Sequence, residues 1–160
     1  MPRRASFRRD GAALALVMAC GTFAAGAQPV VTTVWDGVYT EEQATRGERT
    51  YRQRCTKCHR NDLSGDGALQ GQLGEIVASL VGTSFSSRWN DMTVGDMSLT
   101  IGRTMPWDAP GTLTPQSNVD VVSYLLKMNG IPAGKSELPI ETGKLQQILI
   151  SAKPATDNRD

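Results

Sequence analysis

The sequence predicts an all-α fold in one domain, and three observations point there. Small or apolar residues recur as one helical stripe at Ala44, Gly47, Tyr51 and Cys55. A second, strongly apolar run from Val119 to Met128 follows Thr114-Pro115, a cap and a first helical proline, and stops at Asn129-Gly130. Nothing resembles a periodic set of strands, and the short Val30–Val34 stretch is expected only to wrap the surface. The 160 residues show no internal repeat and no low-complexity tract, which suits one domain with a modest core.

At the N-terminus, Arg3, Arg4, Arg8 and Arg9 precede an apolar stretch from Gly11 to Ala19, and Ala25-Gly26-Ala27 supplies a small-residue cleavage site. Residues 1–27 therefore read as a secretory signal, too short and too interrupted to span a bilayer, with Gln28 as the mature start. Val17-Met18-Ala19-Cys20 is a loose lipobox, so a lipid anchor at Cys20 is the alternative to plain cleavage. Residues 28–150 form the expected domain, and the tail from 151 to 160 is expected to be flexible. The signal carries four arginines and one aspartate; the remainder keeps 13 basic and 15 acidic residues, a formal charge of −2.

Within the domain, Thr40 and Gln43 have the spacing of a capping box for the first helix. Gly47 inside that helix costs stability, so a close crossing with another helix, near Tyr124, is expected there. Asn61, Asp62, Ser64, Gly65, Asp66 and Gly67 form a loop. Leu69, Leu73, Ile76, Val77 and Leu80 keep helical spacing, but Gly71 and Gly74 interrupt it. Thr93 with Asp96 caps a helix carrying Val94, Met97 and Ile101 on one face. Val121, Leu125 and Met128 are the expected buried stripe of the last helix.

The first helix leads into Cys55-Thr56-Lys57-Cys58-His59. The pattern C-x-x-C-H is the signature of covalent c-type haem attachment. Two thiols bond the porphyrin's vinyl groups, and the adjacent imidazole becomes the proximal iron ligand. A thioredoxin-like pair would need a βαβ setting, whereas the flanking segments read as helical. A zinc site would need about four ligands. The chain has one histidine, and its remaining cysteine, Cys20, lies in the signal. Export agrees with the motif, because bacteria attach haem c outside the cytoplasm.

With no second histidine, the sixth ligand is expected to be a methionine thioether, which favours reduced iron. Met92, Met97, Met105 and Met128 are the candidates. Met97 and Met128 sit on apolar helix faces, where core packing is the ordinary role. Met105 lies 46 residues beyond His59, and Pro106 after it fixes the backbone and removes a competing donor. Met105 is the expected ligand. Trp89 and Arg88 are suited to hydrogen-bond the haem propionates; the plainer alternative is a core tryptophan beside a solvated arginine. Trp107 either shields the iron ligand from water or is an exposed loop aromatic. From Arg46 to Arg60, six basic residues (Arg46, Arg49, Arg52, Arg54, Lys57, Arg60) face one acid, Glu48. That run reads as a docking ring for an acidic redox partner, or else as a solvated helix face.

At these residues the chain resembles the small class I cytochromes c. Within them it is similar to the single-haem cytochromes associated with periplasmic quinoprotein (PQQ-dependent) dehydrogenases. The likeness runs from Trp35 to Pro139. It is carried by WDGVYTEEQATRGERTYRQRCTKCHRNDLSG, SSRWN, TVGDM, IGRTMPWDAPGTLTP and VVSYLLKMNGIPAGKSELP. The resemblance implies a cytochrome c fold packed around one haem c, thioether links at Cys55 and Cys58, and axial ligation by His59 and Met105. It also implies a packed crossing of the Gly47/Tyr51 helix on the Tyr124 helix. The stretch from Gly67 to Gly82 departs from the family, being longer and more glycine-interrupted than its usual loop.

The expected function is periplasmic electron transfer, as a carrier or a dehydrogenase subunit and not an enzyme in itself. Electrons would come from a quinoprotein dehydrogenase and pass to the respiratory chain. The expected partners are redox proteins, a dehydrogenase, an oxidase or both, with no nucleic acid and no transmembrane span. The alternative is a haem with an open sixth position that binds a small gas or reacts with peroxide, although no distal acid–base group is evident for the latter.

Overall fold

A computed structural model describes residues 31–65 and 77–155. The expected signal over 1–27, Cys20, residues 66–76 of the glycine-interrupted stretch and the last five residues of the tail lie outside the described residues. The domain is mainly helical, with helices α1 (Glu41–Arg54), α2 (Thr56–His59), α3 (Thr83–Trp89), α4 (Val94–Thr104), α5 (Pro115–Met128) and α6 (Thr142–Leu145). Three very short strands, β1 (Thr32–Thr33), β2 (Met92–Thr93) and β3 (Ile148–Ile150), form a sheet in the order β1-β3-β2. β1 runs parallel to β3, and β2 antiparallel to it, with Thr33 and Thr93 both opposite Leu149.

The sheet is a finding that helical periodicity did not anticipate. Ile148 and Ile150 are buried while Leu149 between them is half-buried, the alternation of a strand with one covered face. Trp35, in a short 3-10 turn over Val34–Asp36, donates its indole N–H to the Ser151 carbonyl at 3.0 Å. The N-terminal stretch is thus tied into the domain rather than laid over it.

α1 and α5 make the central packing. A Cβ on Gly47 would stand 1.8 Å from the Asp120 carbonyl oxygen and 3.0 Å from Tyr124 Cβ, so only glycine admits this approach. Next to it the Tyr51 and Tyr124 rings pack with centroids 5.2 Å apart. Arg46 forks onto Asp120 through Nε and Nη2, both at 3.0 Å, and reaches Glu137 at 2.8 Å. Asp120 is buried, so the pair replaces the water its carboxylate has lost.

Two expectations for these helices need correction. Thr40 does accept from the Gln43 amide at 3.1 Å, but the Gln43 side chain does not return to cap the helix. It is buried, and it exchanges two hydrogen bonds with the Leu138 backbone at 3.1 and 2.8 Å, leaving a half box. Met128, expected in the buried stripe of α5, is 42% exposed, because it is the last residue of the helix and the chain turns away at Asn129 and Gly130. In α4 the Thr93–Asp96 box is complete in both directions.

Candidate haem-binding site

The C-x-x-C-H motif begins where α1 ends. Cys55 caps α1, and α2 carries Cys58 and His59 through one helical turn. The Tyr51 hydroxyl donates to the carbonyls of His59 at 3.2 Å and Arg60 at 2.8 Å, which holds the end of α2 against α1. Arg60 and Leu63 then adopt φ of 58° and 62°, conformations that cost a non-glycine residue about 1–3 kcal/mol each. The Tyr51 bond holds the first of them. Leu63 is fully buried, and its carbonyl accepts from the Leu80 amide at 2.9 Å.

Together these elements and α3, α4 and α5 enclose a cavity of about 340 Å³, within the range of small-molecule and cofactor sites. Every residue singled out for cofactor binding lies on its wall: Cys55, Cys58, His59, Met105, Trp89 and Arg88. Much of the remaining wall is apolar, including Leu80, Phe85, Ile101, Val121 and Leu125. Of the four methionines considered, Met97 and Met105 line the cavity, while Met92 is 38% exposed on β2. Met105 ends α4 with an extended backbone (φ −122°, ψ 151°) and is followed by a buried Pro106. Met97 is wholly buried on α4 itself.

His59 Nδ1 lies 3.3 Å from the Ala78 carbonyl oxygen. A carbonyl can only accept, so Nδ1 carries the proton in this pair and Nε2 keeps a lone pair for a metal. Burial lowers the His59 pKa, with the Ala78 bond opposing, and so favours the neutral, ligating form. Burial pushes the Cys55 thiol up to about 11, against the opposing field of Arg54. A catalytic redox cysteine needs the reverse, a thiol shifted down toward thiolate.

The cavity's charged neighbours are Arg54, Lys57, Arg88 and Asp108. Arg88 stands 5.2 Å over the Trp89 ring, and Trp89 itself is buried. Trp107 is 56% exposed at the wall. The basic run of α1 is not one uniform ring: Arg46 is paired with Asp120 and Glu137, and Arg52 with Glu48 at 2.7 Å. Glu48 lies within the run itself, but Asp120 on α5 and Glu137 beyond it are far outside residues 46–60, where a count along that run does not reveal them.

Sequence reasoning missed three contributors to the site. α3 was not anticipated in its serine-rich stretch, although Phe85 and Trp89 one turn apart are a signal for it. Ala78 acts through its backbone carbonyl, which leaves no trace in residue type. Asn129, read only as a helix stop, bonds across to the 77–82 segment.

Two thiols, an imidazole with its tautomer fixed, a thioether and an apolar enclosure fit a covalently held haem, and this set defines a c-type cytochrome domain. The family model described as cytochrome C oxidase, cbb3-type, subunit III matches residues 42–125, just over half of the chain, and the chain belongs to that family. The matched span contains Cys55, Cys58, His59 and Met105. No curated protein and no solved structure matches it. Membership implies covalent haem c, haem-based electron transfer and redox protein partners. Among the described residues, no helix is long and apolar enough to cross a membrane.

Proposed function

We propose that the protein is an exported, periplasmic electron carrier with one haem c, ligated by His59 and Met105. The observation that carries this reading is that one apolar cavity gathers both thiols, the oriented imidazole and the Met105 thioether. When bound, haem supplies a one-electron iron couple that a thioether ligand biases toward the reduced state. Cys55 and Cys58 hold the group in place, and Ala78 orients the imidazole. Arg88 and Trp89 offer donors to the propionates. Met97 packs in the core, and Trp107 stands exposed at the cavity wall two residues after Met105.

Arg54 and Lys57 on the cavity wall supply a positive rim for brief docking with an acidic partner, since electron transfer favours small, charge-steered contacts. The resemblance to cytochromes of quinoprotein dehydrogenases supports such an enzyme as donor. The family's name, that of an oxidase subunit, supports an oxidase as acceptor.

The test is the visible spectrum of the exported protein, oxidised and then reduced. A sharp low-spin reduced spectrum is expected, with a weak far-red thioether–iron band on oxidation. That band should vanish in Met105→Ala and persist in Met97→Leu, a nearly volume-conserving change. A high-spin spectrum that shifts with carbon monoxide would instead establish an open iron for gas binding or peroxide chemistry. A protein without haem would leave Cys55 and Cys58 to form a disulfide, and the haem reading would fail.

A further inference from the structure

We propose that Asn129, at the C-terminal end of α5, is a positioning residue that sets the aim of the His59 imidazole through the segment 77–82. The inference rests on His59 ligating haem, as proposed above. Residues 77–82 have no helical or strand bonding of their own, so a few specific contacts decide where they lie. Leu63 holds one side, its carbonyl accepting from the Leu80 amide at 2.9 Å and the Ser79 hydroxyl at 3.2 Å.

Asn129 holds the other side. Its side-chain amide donates to the Leu80 carbonyl at 3.0 Å and to the Leu125 carbonyl at 2.8 Å, while its oxygen accepts from the Gly82 amide at 3.0 Å. Leu80 and Leu125 both line the cavity wall, the first from the 77–82 strap and the second from α5. One amide nitrogen therefore fixes the separation of the two members. Two residues before Leu80 sits Ala78, whose carbonyl takes the His59 Nδ1 proton.

The residue type is demanding. Three bonds are made from one short side chain, two as donor and one as acceptor, a set asparagine has and aspartate, serine or leucine lack. Its backbone is already anchored, since the Asn129 amide donates to Leu125 at 3.2 Å and to Leu126 at 3.1 Å, so holding the side chain costs little entropy. The hydrogen bond from a ligating histidine's second nitrogen fixes ring orientation and raises ligand basicity. Moving the strap moves that bond. The end of α5 thereby reaches the iron's electronics without touching the haem.

The experiment compares the haem-loaded full chain with Asn129→Ala, Asn129→Ser and Asn129→Gln, with Gln43→Ala as a control. Gln43 also makes side-chain bonds to backbone, more deeply buried ones to Leu138, and none to residues 77–82. Asn129→Ala should raise the midpoint potential, because a less basic imidazole favours reduced iron, and should speed exchange of the His59 Nδ1 proton by about three- to tenfold. Asn129→Ser, with one hydrogen to give, should shift both readouts less and serves if the alanine variant does not fold. Asn129→Gln should restore part of both. Gln43→Ala should lower stability and move neither. If the Asn129 variants lose stability but keep the wild-type potential and exchange rate, Asn129 is only a helix cap. If wild-type protein itself lacks a histidine-ligated haem, the underlying functional reading fails first.

Discussion

The α1–α5 crossing and the cavity share Tyr51 and α5 as a common wall, yet the two regions are built on opposite terms. At the crossing the polypeptide completes itself. Gly47 lets the Asp120 backbone in, Tyr51 packs on Tyr124, and the Arg46 fork and the Gln43–Leu138 pair satisfy the polar groups so buried. On the cavity side, the segments 77–82 and 105–108 carry little regular structure, and residues of both line a space rather than fill one. Apolar walls around a space leave transfer free energy ungained until an apolar group occupies it. The crossing is a scaffold, and the cavity is half of an interface whose other half is the prosthetic group.

The strongest way to break this comparison is to deny the cavity its occupant. In a Cys55→Ala/Cys58→Ala protein, no haem should survive denaturing electrophoresis. Hydrogen exchange should then rise most over residues 56–65 and 77–108, while interior amides of α1 and α5 keep the greater part of their protection. Uniform loss of protection would show that the crossing does not stand without the haem side.

The same contrast governs how much the sequence revealed. The crossing is encoded by residue type: the stripe from Ala44 to Tyr51, the costly Gly47 and the apolar run of α5 each leave a period or an anomaly in the text. The motif Cys55–His59 is equally legible, since its chemistry requires those side chains at that spacing. The walls are less so. Ala78 works through a carbonyl, Asn129 bonds across 49 residues to Leu80, and Gln43 left its capping role for Leu138, 95 residues away. Backbone partners and long-range satisfaction have no local pattern. The sheet stayed hidden for a related reason, its strands being two or three residues long and too short to display a period.

A substitution within the crossing should cost stability without altering the chemistry. Gly47→Ala would gain about 1 kcal/mol in helix propensity. Its methyl would meet the Asp120 carbonyl at 1.8 Å, a backbone atom that cannot swing aside, so α1 and α5 must separate. A net loss of about 2 kcal/mol or more is expected from overpacking, read from denaturant unfolding of the haem-loaded protein. The far-red band should be unchanged. A gain near the propensity value would mean that the two helices are looser than this geometry requires.

The smallest expected effect lies on the cavity side, at the start of α4, the helix that ends at Met105. Asp96 accepts from the Thr93 hydroxyl at 2.7 Å and the Thr93 amide at 3.0 Å, and these bonds, the hydroxyl's first, hold its carboxyl below the usual range. The folded state therefore prefers the ionised carboxylate. Its contribution is complete above the unfolded carboxyl's pKa of about 3.9 and fades as the pH falls through the lower folded value. Asp96→Asn keeps an acceptor but removes the charge from the helix N-terminus, and should cost about 0.5–1 kcal/mol at neutral pH. As the pH falls through that lower folded value the two proteins should converge, since the wild-type carboxyl is then increasingly protonated as well. A gap that persisted in acid would assign the loss to packing around Thr93 instead of charge. The cap lies at the opposite end of α4 from Met105, so the thioether–iron band should stay in place while the denaturation midpoint moves.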